Sequence, residues 1–169
     1  MLQAKIRDIP DFPQPGIIFK DLTPVMADGP LLRQTVDALL SPFRAAGVTA
    51  IAGMEARGFI FGSIAAYALG VGFIPLRKAG KLPHQTHQAS YALEYGSATL
   101  EMHVDALSCR DQVLLVDDLI ATGGTARASC DLVQRTGARI VGCAFVIELD
   151  FLHGREVLAP YQIHSLVHY

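Results

Sequence analysis

The chain lacks a basic excess, a cysteine pattern and any apolar run long enough to span a bilayer. Fourteen Lys and Arg stand against sixteen Asp and Glu, a net charge of −2. That balance excludes a basic groove for nucleic acid. The three cysteines, Cys109, Cys130 and Cys143, fit no metal-ligand spacing. They read as reduced, mostly buried thiols of a cytosolic protein. Lys5, Arg7 and Asp8 precede Pro10, so no signal peptide is expected. No uninterrupted apolar stretch reaches membrane length, and there are no repeats or low-complexity segments. What is abundant is core material: 51% of the 169 residues are hydrophobic, at a length that suits one domain.

Hydrophobic periodicity predicts alternating strands and helices. Asp28 with Pro30 just inside marks a helix start. Leu32, Val36, Leu39, Leu40 and Phe43 share one face of that helix, and Gly47 ends it. Residues 48–54 read as a buried strand, 59–69 as an apolar helix and 73–76 as a further strand. Residues 77–88 have no apolar period and predict a mobile loop. Residues 98–104 alternate as a half-buried strand, and with 91–95 they predict an antiparallel pair framing the loop. The strand at 113–116, a helix after Gly124 and a strand at 140–147 form a β-α-β unit. Residues 163–167 predict a short last strand. The expected fold class is α/β: a mainly parallel sheet with helices on both faces and ligands at its carboxyl edge.

One stretch carries most of the chemistry. Val113-Leu114-Leu115-Val116 is apolar without alternation, as in a strand buried on both faces. Asp117-Asp118 ends the run, and Thr122-Gly123-Gly124-Thr125 opens a helix. Backbone N–H groups and the positive end of a helix dipole then converge on one spot, an anion cradle. No Lys follows the glycines, so the nucleotide P-loop pattern is not met. The two acids would repel a phosphate, so they must face vicinal hydroxyls or a hydrated cation brought in with it. A sugar phosphate offers both. The plainer alternative is that Thr125 merely caps a helix.

This stretch resembles the phosphoribosyl-diphosphate motif of the type I phosphoribosyltransferases, and the resemblance runs over nearly the whole chain. Phe12-Pro13-Gln14-Pro15-Gly16-Ile17-Ile18-Phe19-Lys20-Asp21 is similar to the N-terminal segment of the adenine branch. Glu55-Ala56-Arg57-Gly58-Phe59, Arg77-Lys78-Ala79-Gly80-Lys81-Leu82-Pro83 and Ser90-Tyr91-Ala92-Leu93-Glu94-Tyr95-Gly96 follow in the family's order. Gly154-Arg155-Glu156 and Leu158-Ala159-Pro160 close the chain. The resemblance implies a type I fold with a small hood from about residues 1–30 and 149–169, and a flexible loop at about 77–95. It implies transfer of phosphoribose from 5-phosphoribosyl 1-diphosphate (PRPP) to adenine, giving AMP and diphosphate. Two other readings stay open: a transferase for hypoxanthine or guanine, and a non-enzymatic PRPP-sensing regulator.

The resemblance also implies roles for particular residues. Ala121, Thr122, Gly123, Gly124 and Thr125 would hold the 5′-phosphate, and Asp117 and Asp118 the ribose hydroxyls. Glu55, Ala56, Arg57, Arg77, Lys81 and Tyr95 would attend the diphosphate, with a cis peptide expected near Glu55-Ala56. Glu94 would take the purine proton, and with Arg57 it forms the expected catalytic pair. Phe19 and Leu149 would sandwich adenine, with Leu119 nearby. The Ile18 carbonyl and Lys20 N–H would read its edge, a pattern that a 6-oxopurine leaves unpaired. Lys20 stands where relatives usually carry Arg. No direct metal ligand is expected, since Mg²⁺ would be held by PRPP and water. The expected partners are these small molecules and a second copy of the chain, the latter supported by the apolar Phe59-Ile60-Phe61. Read without the resemblance, Arg57 is a helix-start charge and Arg77 and Lys81 belong to a solvated basic loop. Likewise Glu94 is a strand-end carboxylate and Phe19 a core residue. His84 and His87 have loose metal spacing but no third ligand.

Overall fold

The structure is a computed structural model that describes residues 1–92 and 97–169. Two compact units divide the chain at Ala38 and Leu39. The first unit holds a two-stranded antiparallel hairpin, β1 (Arg7–Pro10) and β2 (Ile18–Asp21), with Ile9 opposite Phe19. The hairpin's long loop contains a cis Phe12-Pro13 bond, and Asp11 accepts the Gly16 N–H at 2.8 Å. Phe12 meets Phe19 edge to face, ring centres 5.2 Å apart. A short helix α1 (Thr23–Met26) follows. Then comes α2 (Gly29–Leu40), where Asp28 caps the start by accepting the Leu31 N–H, as its sequence position predicts.

The second unit is built on a seven-stranded sheet in the order β5-β6-β4-β3-β7-β8-β9. Its strands are β3 (Ala50–Met54), β4 (Gly72–Lys78), β5 (Thr86–Ala92), β6 (Ser97–His103), β7 (Gln112–Ile120), β8 (Arg139–Glu148) and β9 (Ile163–His168). Pairs β4-β3-β7-β8-β9 are parallel, and β4-β6 and β5-β6 are antiparallel. Helix α3 (Gly58–Leu69) carries the chain from β3 to β4, and α4 (Gly124–Arg135) carries it from β7 to β8. These crossovers leave the centre in opposite directions. With right-handed connections the two helices therefore cover opposite faces. Val113, Leu114, Leu115 and Val116 of β7 are all buried, as the unalternating run requires.

Residues 149–169 include β9, which pairs with β8 and forms an edge of the main sheet. Two expectations are corrected. Residues 77–88 are not one loop: Arg77 and Lys78 finish β4, and Thr86, His87 and Gln88 begin β5. Pairing to β6 supplies their backbone partners, which an apolar period does not report. Glu101, placed by alternation on the wet face of β6, is buried, accepting the Gly80 N–H at 3.0 Å and the Gln88 side-chain amide at 2.8 Å.

The short helix α5 (Gly154–Val157) braces the turn before α4. A Cβ at Gly154 would lie 2.1 Å from the Ala121 carbonyl, and one at Gly123 would lie 2.5 Å from the Gly154 carbonyl. Gly123 also needs its φ of 83°. Backbone-to-backbone contact this close leaves no room for a methyl. Gly154→Ala is therefore expected to destabilise the protein by about 1–3 kcal/mol, as overpacking does. Thermal melting checks this, and an unchanged Tm would mean the brace yields freely.

Candidate active site

The strand order reverses between β3 and β7, and this is where a doubly wound sheet opens a crevice. β3 pairs with β7 only as far as Gly53 opposite Val116. Beyond that point β7 runs on beside β8 alone, and the β3 chain turns away into α3. The gap is a cavity of about 530 Å³. One wall is Glu55, Ala56 and Arg57, with the Glu55-Ala56 bond cis. The other is Asp117, Asp118, Leu119 and the Ala121-Thr122-Gly123-Gly124-Thr125 turn.

That turn is built as an anion cradle. Gly123 holds the N-cap position of α4 in a left-handed conformation, with no side-chain capping bond. The helical ladder begins with the Arg127 N–H on the Gly123 carbonyl at 2.8 Å. The first-turn N–H groups have no intrahelical acceptor and face the cavity end of the helix. Thr125 is therefore not the cap that a plain reading of the sequence would make it.

The acid pair is deep. Asp118 is 6% exposed, and its Oδ2 forms an ion pair with Arg57 Nε at 2.5 Å. Asp117 keeps partial exposure to the cavity, and its Oδ1 accepts the Asp118 N–H at 2.8 Å. Burial pushes the Asp117 carboxyl well above the usual carboxylate range, and the Asp118 charge pushes the same way. The Arg57 guanidinium works against both. A Cβ at Gly58 would lie 2.6 Å from Asp117 Oδ1, so α3 can start here only with glycine.

Glu55 gathers the cations. Its Oε1 lies 2.7 Å from Lys81 Nζ and 3.1 Å from Arg77 Nη2, and its Oε2 accepts from Arg77 Nε at 3.3 Å and from the Lys78 N–H at 3.2 Å. The Arg77 guanidinium holds the Glu55 carboxyl down to about 2 against the cost of burial, with Lys81 and the Lys78 N–H helping it. Arg77 and Lys81, expected on the diphosphate, therefore sit on Glu55 and not on the cavity wall. Lys78 lines the cavity instead.

The remaining expectations divide as follows. Leu119 lines the cavity, and the Leu149 N–H donates to the carbonyl of Ile120 beside it. Ile18, Phe19 and Lys20 lie in the first unit, where the Lys20 ammonium is bound to Asp8 at 2.7 Å. Glu94 and Tyr95 lie outside the described residues. Of Phe59-Ile60-Phe61, Phe61 is fully buried and Phe59 packs on Phe73, which leaves Ile60 outward. His84 faces the His103 ring, centres 6.0 Å apart.

Sequence reasoning missed Lys78, Tyr91, Leu100, Ile120 and Ala126 on the cavity wall. Lys78 was visible as the residue between two assigned positions. It also missed a cluster of Glu148, Asp150 and His168, whose donor atoms lie within 4.8 Å of one another beside a second cavity of about 330 Å³. Burial would raise the Glu148 carboxyl, but Arg155 and Ser165 outweigh it and hold it low. Arg155 forks onto both Glu148 oxygens at 2.9 and 2.7 Å, so this cluster is an ion-pair network bracing α5.

Comparison with known proteins agrees with this geometry. A phosphoribosyl transferase domain model matches residues 27–161. An adenine phosphoribosyltransferase of Nitrosococcus oceani is 64% identical over 99% of this chain and 98% of its own length. That of Methylococcus capsulatus is 62% identical over the same shares. The crystal structure of adenine phosphoribosyltransferase from Rhodothermus marinus superposes with a TM-score of 0.96 at 52% identity, covering 99% of this chain and 96% of that one. The Saccharomyces cerevisiae enzyme, crystallised with an imino-altritol bisphosphate and adenine, gives 0.93 at 41% identity over 98% and 96%. The chain belongs to the phosphoribosyl transferase domain family and, within it, to the adenine phosphoribosyltransferases.

Proposed function

We propose that this protein joins adenine to the ribose of PRPP, forming AMP and releasing diphosphate, and so salvages free adenine in the cytoplasm. The observation that carries this reading is the meeting of the uncapped α4 start with Asp117, Asp118 and Arg57 in one crevice. A phosphate, vicinal hydroxyls and a diphosphate are what those three features suit.

The C1–oxygen bond to diphosphate breaks and the C1–N9 bond forms, through an oxocarbenium-like transition state by analogy with glycoside chemistry. The 121–125 turn holds the 5′-phosphate. Asp117 accepts from a ribose hydroxyl. Asp118 keeps Arg57 in place, and Arg57 faces the diphosphate. Ala56 beside the cis bond, Tyr95, Arg77 and Lys81 complete the diphosphate contacts. Glu94 takes the N9 proton. Phe19, Leu119 and Leu149 contact the adenine rings, while the Ile18 carbonyl accepts from its 6-amino group and the Lys20 N–H donates to N1. With its ammonium held by Asp8, Lys20 reads the base through its backbone.

The cavity acids fit a cation that arrives with substrate, not a resident one. Asp118 is paired with Arg57, and Asp117 is pushed toward its neutral form. Mg²⁺ bound to the donor's diphosphate and to water would neutralise leaving-group charge there. The protein acts as a homodimer, with Ile60, Ser63 and Tyr67 forming an exposed stripe along α3 at helical spacing. Tyr67 is 89% exposed, unusual for a ring with no partner surface. Sedimentation at micromolar concentration is expected to show a species of twice the 18.2 kDa chain mass, and a monomer alone would remove the dimer.

Diphosphate release measured with adenine, hypoxanthine and guanine tests the function directly. Adenine should be preferred on the order of 10⁴-fold in kcat/KM, the discrimination expected when a site built for hydrogen bonds is left unpaired. Comparable rates with a 6-oxopurine would reassign the base. Two substitutions separate the roles within the site. Glu94→Gln should lower kcat by about 10²–10⁴-fold with little change in donor KM, the range for a general base. Asp117→Asn should lose donor affinity as well, because its hydroxyl contact exists before the chemistry. The same pattern from both variants would contradict this division.

A further inference from the structure

β3 and β4 lie side by side with Met54 opposite Leu76, so the next residues out, Glu55 and Arg77, are neighbours at the sheet's carboxyl edge. The Glu55 N–H binds the Leu76 carbonyl at 2.9 Å, which fixes that step. Lys81 returns over the same spot four residues after Arg77, and Arg77 Nη1 donates to its carbonyl at 3.1 Å. One carboxylate, with its side chain only 11% exposed, therefore takes Arg77 Nε, Arg77 Nη2 and the Lys81 ammonium at once. Glu55 lines the cavity, whereas neither cation does.

A carboxylate and a phosphate recruit the same guanidinium fork and the same ammonium. While Arg77 spends two of its N–H directions on Glu55 and a third on a backbone carbonyl, it has no fork to offer a diphosphate. We propose that Glu55 is a positioning residue that competes with the donor's diphosphate for Arg77 and Lys81, holding both cations before PRPP binds and taking them back as diphosphate leaves. This rests on the reading of Arg77 and Lys81 as diphosphate cations. Glu55 is an internal stand-in for the leaving group. It keeps two like charges folded down at the crevice mouth in the free protein, and it stops diphosphate from being retained by two bare cations after transfer. The low pKa of Glu55 keeps it charged and able to compete throughout the neutral range.

The proposal separates affinity from turnover in a direction that loss of a ligand cannot produce. Magnesium diphosphate titrated calorimetrically into the wild-type protein, Glu55→Gln, the double variant Arg77→Ala/Lys81→Ala and the triple variant gives the necessary cycle. Glu55→Gln should bind diphosphate about tenfold more tightly, the scale of one charge-assisted contact returned to the ligand. Its kcat should fall because release slows. Glu55→Asp retains the charge with a shorter reach and should tighten binding less, and melting curves on the same samples report whether each variant is folded. In the Arg77→Ala/Lys81→Ala background, Glu55→Gln should give no further gain. Equal or weaker binding by Glu55→Gln overturns the proposal. So does a gain that persists without the two cations, since Glu55 would then act only as a nearby negative charge. If Arg77→Ala/Lys81→Ala alone binds diphosphate as wild type does, the underlying assignment of the two cations fails first, and the adenine-dependent assay stands apart from that result.

Discussion

The site depends on the burial of charge at the end of β7. A strand covered on both faces ends in two carboxylates, and leaving either unpaired in that interior would cost several kcal/mol. Arg57 meets the cost by reaching Asp118 from the turn after β3. The pair fastens the two strand ends just where the ladder between them has stopped. Gly58 follows at once because α3 must begin against the Asp117 carboxylate with no Cβ in the way. Gap, ion pair and glycine form one solution, and the cavity is the space it leaves.

The parts legible in the sequence were those with a local signal. The unalternating run at 113–116 announced a central strand, and Thr-Gly-Gly-Thr announced the helix start. Asp28 before Gly-Pro announced a cap that the structure reproduces. The Asp117-to-Thr125 wall of the crevice came from a motif legible in the residues themselves, and the Glu55-Ala56-Arg57 wall from the resemblance. The resemblance to phosphoribosyltransferases added what spacing lacks, the assignment of each wall to part of a ligand.

Long-range facts left no such trace. β5 turns only Ala89 and Tyr91 to the core among polar neighbours, too short an apolar pattern to mark it, and its order comes from pairing with β6. Glu101 looked like a wet position because alternation cannot foresee that the Gly80 N–H and the Gln88 amide converge on it. Arg77 and Lys81 carried the charge a diphosphate needs, but no pattern showed that Glu55, more than twenty residues earlier, already holds them. The last strand was legible at 163–167, but nothing local showed that its partner is β8.

The brace between Gly154 and the phosphate turn has a consequence for the chain as it is synthesised. Strand β7 and the turn at 121–125 leave the ribosome well before α5 does. Until Gly154 arrives, the Ala121 carbonyl and the Gly123 N–H lack the backbone that packs against them. A nascent chain can therefore build the central strands while its cradle stays unsupported, and a message broken before codon 154 yields a sheet without a working grip. The last sixteen residues, which begin at Gly154 and are remote in sequence from every ligand contact except Leu149, time the moment at which the protein becomes competent.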